Sequence, residues 1–320
     1  MLVLSQADVA SIVDMPRLID VVEAAMIDLS AGTASVPPRV GAFVAERSAV
    51  LAAMPAYLPS VGALTSKLVS VFPQNRDRPT HQAIICCFDP DDGTPIAVMD
   101  GTLITAMRTA AGSASATRAL ARSDAEVVAI VGTGVQAHAH IEAMKAALRR
   151  PRFLVGGRDR ERARALADEI AAVAADSIEE AVRAADIVCL ATHAEAPVVR
   201  REWLRPGAHV NSVGYNTQGT GEVDRATVTD AYVVVESRAA AFAPPPAGAV
   251  ELLDVIGADD TVEIGEVLRG ARSGRRDDAA ITLYKSVGVA VQDLAAAALV
   301  LAAARERGVG QEIELEEIHA

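Results

Sequence analysis

Near the N-terminus, apolar residues recur with a helical period. Val9, Ile12, Val13, Leu18, Val21, Val22 and Met26 share one face of a helix that Ser5 can cap and Gly32 can end. The preceding residues 2–4 are a short strand candidate. Beyond Gly32 the pattern changes to short apolar runs bounded by Pro and Gly, at 40–44, 49–57, 62–72, 82–88 and 96–100. The turn Asp89-Pro90-Asp91-Asp92-Gly93 joins the last two as a hairpin. These hundred residues predict a largely antiparallel sheet with one helix.

From Ile104 the texture changes. An Ala-rich helix is expected over 106–122, followed by apolar strands at 127–131, 153–157, 187–191, 209–213 and 231–236 that alternate with helices at 137–149, 160–174 and 177–184. Such alternation implies right-handed crossovers and a doubly wound parallel sheet covered on both faces. A polar loop fills 270–278, and an Ala/Leu helix over 287–307 can pack back on the first half. The expected fold is therefore α/β, a Rossmann domain at 119–287 plus a second, α+β domain at 1–118 to which 288–320 returns.

Composition narrows the function. The 320 residues carry 42 acidic and 30 basic side chains, net −12, which opposes binding to nucleic acid or to anionic membrane surfaces. No run reaches the roughly 18 apolar residues of a membrane span, and the N-terminus lacks a basic region before a long apolar stretch, so a cytoplasmic protein is expected. The three cysteines, Cys86, Cys87 and Cys189, lie in apolar runs and read as buried thiols. His81, His138, His193 and His209 show no metal-ligand spacing, and no metal is expected.

The strand at 127–131 runs straight into Gly132-Thr133-Gly134-Val135-Gln136-Ala137, a Gly-x-Gly-x-x-Ala turn that opens a helix. Gly132 permits the tight bend, Gly134 lets backbone approach a pyrophosphate, and Ala137 lets helix pack on strand, with the helix N-terminus facing the anion. The next strand ends near Arg158-Asp159-Arg160. Asp159 would hold the ribose hydroxyls of NAD or cap the following helix, whereas Arg158 suits the 2′-phosphate of NADP. Two arginines against one aspartate point to NADP(H), with NAD(H) the alternative.

Candidates for the chemistry lie mainly in the first half. Lys67 interrupts a strand of apolar and small residues, where a buried ammonium is costly unless paired or used. Arg39 and Arg108 can clamp a substrate carboxylate, as an amino or imino acid requires. Thr109 can add a donor to an anion or simply belong to its helix, and His81, between Thr80 and Gln82, is placed to line a site. Asn216 follows the strand at 209–213, whose carboxyl end borders the ligand crevice of a doubly wound fold.

Taken together, Lys67 in TSKLVSVFPQN, Thr80-His81-Gln82, AVMDGTLITAMRTAAGSA from Ala97, GTGVQA from Gly132 and YKSVGVAVQDLAAA from Tyr284 resemble the ornithine cyclodeaminase and mu-crystallin family. The resemblance spans nearly the whole chain. It implies a homodimer whose first domain binds substrate and dimerises, with Arg39, Lys67 and Arg108 at the substrate carboxylate and beside the reacting carbon. It also implies an arginine near the NADPH 2′-phosphate at Arg158. Ornithine cyclodeaminases carry Asp where this chain has Asn216, and Asn cannot act as a base. The resulting expectation is an imine reductase or amino acid dehydrogenase acting on a small imino acid such as pyrroline-2-carboxylate. The alternatives are an ornithine cyclodeaminase with bound NAD and an NADPH-dependent binding protein of mu-crystallin type.

Overall fold

The computed structural model describes residues 1–214 and 220–314. The chain opens with strand β1 (Leu2–Leu4) and helices α1 (Gln6–Ile12) and α2 (Met15–Ala31). The single helix expected here is two. Ser5 and Asp8 form a capping box on α1, and Asp14 starts a new helix by accepting from the Arg17 amide, with Pro16 in the first turn. Gly32, at φ 75°, closes α2 as expected.

Strands β2 (Val40–Val44), β3 (Ala49–Leu58), β4 (Ala63–Val71), β5 (His81–Phe88) and β6 (Pro95–Asp100) follow as an antiparallel meander, and α3 (Gly101–Leu120) starts directly after β6. The next elements are β7 (Val127–Val131), α4 (Val135–Ala147), β8 (Arg152–Gly156), α5 (Arg160–Glu169), β9 (Val173–Ala174), α6 (Ile178–Ala184), β10 (Ile187–Leu190) and β11 (His209–Ser212). After these come α7 (Arg225–Asp230), β12 (Tyr232–Val235), α8 (Arg238–Ala241), β13 (Val262–Glu263), α9 (Ile264–Leu268), β14 (Thr282–Lys285), α10 (Ala290–Arg307) and β15 (Gln311–Glu312).

The helix expected over 160–174 stops at Glu169. The chain reverses through Ala171 at φ 53°, and Val173 pairs with Leu154 as strand β9. Strands β13, β14 and β15 were not expected.

The chain divides into two compact units, Met1–Arg108 with Val289–Ala320, and Thr109–Gly288. The first unit holds a seven-stranded sheet in the order β15-β1-β6-β5-β4-β3-β2. It is mixed rather than wholly antiparallel, because β1 runs parallel to β6. Alternate residues of the meander are buried: Ala52, Met54, Ala56 and Leu58 on β3, and Thr65, Lys67 and Val69 on β4. Helix α10 packs against α2 and across β3, β4 and β5.

The second unit is an eight-stranded parallel sheet ordered β13-β12-β14-β11-β10-β7-β8-β9. The order reverses between β7 and β10, which is the switch point where doubly wound sheets open a crevice at the carboxyl ends of their strands. Val131, Val188, Leu190, Val210 and Leu283 belong to a continuous core beneath it. Among the described residues, no helix is long and apolar enough to cross a membrane, and no cluster of His, Cys, Asp or Glu could hold a metal.

Candidate active site

In the first unit, strand pairing places Lys67 in a cross-strand row between Met54 and Ile85, on the face that α10 covers. An ammonium cannot lie there alone. Its Nζ is 2.6 Å from Oδ2 of Asp293, in the first turn of α10, with both side chains 2% exposed. The other carboxylate oxygen accepts from Nε of Arg108 at 2.9 Å, and Arg108 Nη1 donates to Oε1 of Gln292 at 2.7 Å. A single carboxylate is thus shared by two buried cations supplied by a strand and by helix α3.

Burial drives the Lys67 pKa down, Asp293 raises it and Arg108 and Arg39 lower it further, leaving it at about 8. At Asp293, burial pushes upward, but Arg108 and Lys67 together outweigh it and hold the carboxyl below its ordinary range. His81, at the start of β5, is depressed to about 4 by burial and by the nearby charges of Lys67 and Arg108, so its ring is neutral at physiological pH. Arg39, just before β2, is half-buried and close enough to influence Lys67. The structure therefore brings Lys67, Arg108, His81 and Arg39 into one electrostatic neighbourhood. Asp293 and Gln292 join them without having been singled out from the sequence.

Removing the shared carboxylate would leave two buried cations uncompensated. Asp293→Ala is expected to cost about 3–5 kcal/mol of stability, measured by urea denaturation. Gln292→Ala, which removes a neutral acceptor, should cost about 1–3 kcal/mol.

In the second unit, the turn after β7 has the shape a pyrophosphate requires. Gly132 adopts φ 120°, and a Cβ there would come within 2.5 Å of the Ala191 carbonyl oxygen. Gly134 caps α4 with no side-chain hydrogen bond, and a Cβ on it would meet open space. The residues present therefore fit an anion at the helix N-terminus. Val135 beside it is 71% exposed, and Ala137 is fully buried against the sheet, as the motif demands.

Asp159 caps α5, its Oδ1 accepting from the amides of Glu161 and Arg162 while Oδ2 lies 3.4 Å from Arg162. Arg158 is exposed next to it. A cleft of about 400 Å³ adjoins the end of β8, lined by Gly157, Ser177, Ile178, Val198, Arg200 and Trp203.

Thr109 is buried near the middle of α3, and the Gln136 carbonyl accepts from His140. Burial lowers His140 to about 4 and His209 to about 3, which makes them neutral core residues bonded to Ser113 and to Thr282, respectively. Asn216 lies outside the described residues.

The family model for the ornithine cyclodeaminase/mu-crystallin family matches residues 1–308. The chain belongs to this family. Among its relatives, ketimine reductase mu-crystallin of Mus musculus is 39% identical over 292 residues, covering 88% of this chain and 90% of the relative. The Thermococcus litoralis Delta(1)-pyrroline-2-carboxylate reductase, solved with NADH and L-proline, superposes with a TM-score of 0.92 at 34% identity, covering 98% of this chain and 100% of that one. An archaeal alanine dehydrogenase dimer with bound NAD gives 0.89 at 31% identity over 99% of each chain. Within the family, the position of Lys67 opposite Asp293 and the Gly132 bend are thus features of a chain whose relatives reduce imines or dehydrogenate amino acids.

Proposed function

We propose that this chain is an NAD(P)H-dependent imine reductase, acting on a small cyclic or linear α-imino acid such as pyrroline-2-carboxylate and, in reverse, on the amino acid. The observation that carries this reading is the buried cluster in the first unit. Two cations, Lys67 and Arg108, share one carboxylate, Asp293, so the trio keeps one positive charge for an anionic group of a substrate. A substrate carboxylate satisfies that charge, with Arg39 as a second clamp.

When bound, a reduced nicotinamide supplies the hydride that the α-carbon of the imine accepts. Lys67 donates a hydrogen bond or the proton to the imine nitrogen, so that C=N becomes CH–NH with one hydride and one proton added. Asp293 is the positioning residue, fixing both cations by its two oxygens. Neutral His81 offers a hydrogen-bonding edge without adding charge. The Gly132–Ala137 bend and the open N-terminus of α4 would hold the pyrophosphate, and the cleft at Gly157 would take the adenosine end.

With Asp159 engaged as a helix cap, Arg158 is free to meet a 2′-phosphate, which supports NADP(H). The Asn216 side chain cannot replace the Asp expected of a cyclodeaminase, which supports reduction over deamination. Purified chain should oxidise NADPH or NADH when given pyrroline- or piperideine-2-carboxylate and should release no ammonia from ornithine. Absence of oxidation with any small imino acid would overturn the proposal.

A homodimer is part of the same reading. Val40, Ala53, Leu68 and Ile84 register in one row across β2 to β5, on the face turned away from α10. Val40 is 65% and Ile84 45% exposed, and Leu51, 49% exposed, lies on the same face. An apolar sheet face of this kind suits a second copy. The double substitution Val40→Glu with Ile84→Glu should convert a dimer into a monomer by light scattering. A wild-type monomer would overturn the dimer, and a charged variant that still dimerises would place the interface elsewhere. Turnover of a nicotinamide cofactor together with unpaired cysteines suits a cytoplasmic setting.

A further inference from the structure

Glu222 is 1% exposed, although it lies in a bend beside the isolated bridge between Val199 and Val223 and outside any helix or strand. Among the described residues, each of its carboxylate oxygens accepts two hydrogen bonds. Oε1 takes the Thr192 amide at 2.9 Å and the Thr192 hydroxyl at 2.6 Å. Oε2 takes the Gly214 amide at 2.7 Å and the Ser212 hydroxyl at 3.0 Å. A Cβ on Gly214 would fall 2.3 Å from the Glu222 carboxyl carbon, so the backbone packs directly on the acid.

The carbonyl of Gly214 is held as well. Lys285 Nζ donates to it at 2.8 Å, contacts Ser212 Oγ at 3.4 Å and pairs with buried Glu251 at 2.8 Å. These bonds tie the segments leaving the carboxyl ends of β10 and β11. The same β10 segment touches the dinucleotide bend, because the Ala191 carbonyl fills the space a side chain on Gly132 would need.

In a doubly wound sheet the two halves flanking the switch point each take one nucleotide of the cofactor. Here β7, β8 and β9 form the half next to the Gly157 cleft, and β10, β11, β14, β12 and β13 form the other. We infer that Glu222 is a positioning residue for the nicotinamide half of the cofactor, holding the Thr192 and Gly214 backbone that borders it. This inference rests on the dinucleotide reading above and makes a narrower claim. Gln at 222 cannot serve, because its amide nitrogen would face donors on whichever side it occupied.

The test compares NAD(P)H binding, followed by reduced-nicotinamide fluorescence, with binding of ADP-ribose or its 2′-phosphate, which lack the nicotinamide. Glu222→Gln should weaken NAD(P)H binding by about 10-fold and leave ADP-ribose binding within about two-fold. Thr192→Val, which removes one donor and keeps the carboxylate, should show the same selectivity to a smaller degree. Unchanged NAD(P)H affinity in both variants would overturn the inference. An equal loss for both ligands accompanied by a lower Tm would also overturn it. Wild-type protein that bound ADP-ribose but not NAD(P)H would contradict the inference and the cofactor reading together. Selective loss only in Glu222→Gln would support it.

Discussion

Replacing Lys67 with methionine is expected to lower kcat for imine reduction about 1,000-fold while NAD(P)H affinity stays within about two-fold. Methionine fills much of the lysine's volume in the row between Met54 and Ile85, and Arg108 remains as counter-ion to Asp293. The loss should therefore fall on the chemical step rather than on folding. The pH profile gives an independent reading. With its pKa at about 8, Lys67 is protonated at neutral pH and loses its proton as pH rises through that value. Reduction, which needs the proton, should decline above about pH 8, whereas oxidation of the amino acid, which needs the free amine, should rise over the same range. Lys67→Met should abolish both limbs. A variant that kept near-normal kcat, or the same pH limbs, would remove Lys67 from the chemistry.

Arg108→Lys is expected to raise KM for the imino acid about 100-fold with a much smaller effect on kcat. The guanidinium fixes itself to Asp293 and Gln292 through two nitrogens and so presents a rigid fork, and an ammonium at that position has neither the reach nor the planar geometry. About 2.7 kcal/mol of substrate binding corresponds to that factor. Steady-state kinetics with the imino acid varied at saturating cofactor, together with L-proline binding by calorimetry, would check it. A fall in kcat with KM unchanged would assign Arg108 to the reaction step instead of to the carboxylate.

Much of the second unit could be read directly from the sequence because its signals are local. The strand at Val127–Val131 was expected with those bounds, and the Gly132 bend follows from a motif whose every position has a steric or electrostatic reason. Lys67 was readable for the opposite cause: a charge in an apolar strand is improbable without a use. Its partner was harder to see, since Asp293 approaches Arg108 across 185 residues of chain. A signal was nonetheless present, because Gln292-Asp293 is the one polar pair in the otherwise apolar, Ala-rich run from Ala290 to Ala304. The division of the first helix was missed because the apolar period runs on across it, although Asp14 and Pro16 carry the cap and first-turn proline that restart the helix.

Strands β9 and β14 were not legible. A two-residue strand carries no period, and β14 ends in Lys285, a residue that reads as surface until Glu251 and the Gly214 carbonyl are found around it. Glu222 was missed for a similar reason. A glutamate in a Gly- and Thr-rich stretch looks solvated, and its burial depends on donors from two strand ends that only the folded sheet brings together.

The central claim, that hydride moves between nicotinamide C4 and the α-carbon of an imino acid held by the Lys67 cluster, can be measured by isotope transfer. Reduced cofactor deuterated at C4, prepared as each stereoisomer and supplied with pyrroline-2-carboxylate, should yield proline carrying deuterium at the α-carbon from one isomer and not the other, as read by NMR and mass spectrometry. Proline without deuterium from either isomer, or no proline at all while the cofactor binds normally, would contradict the account.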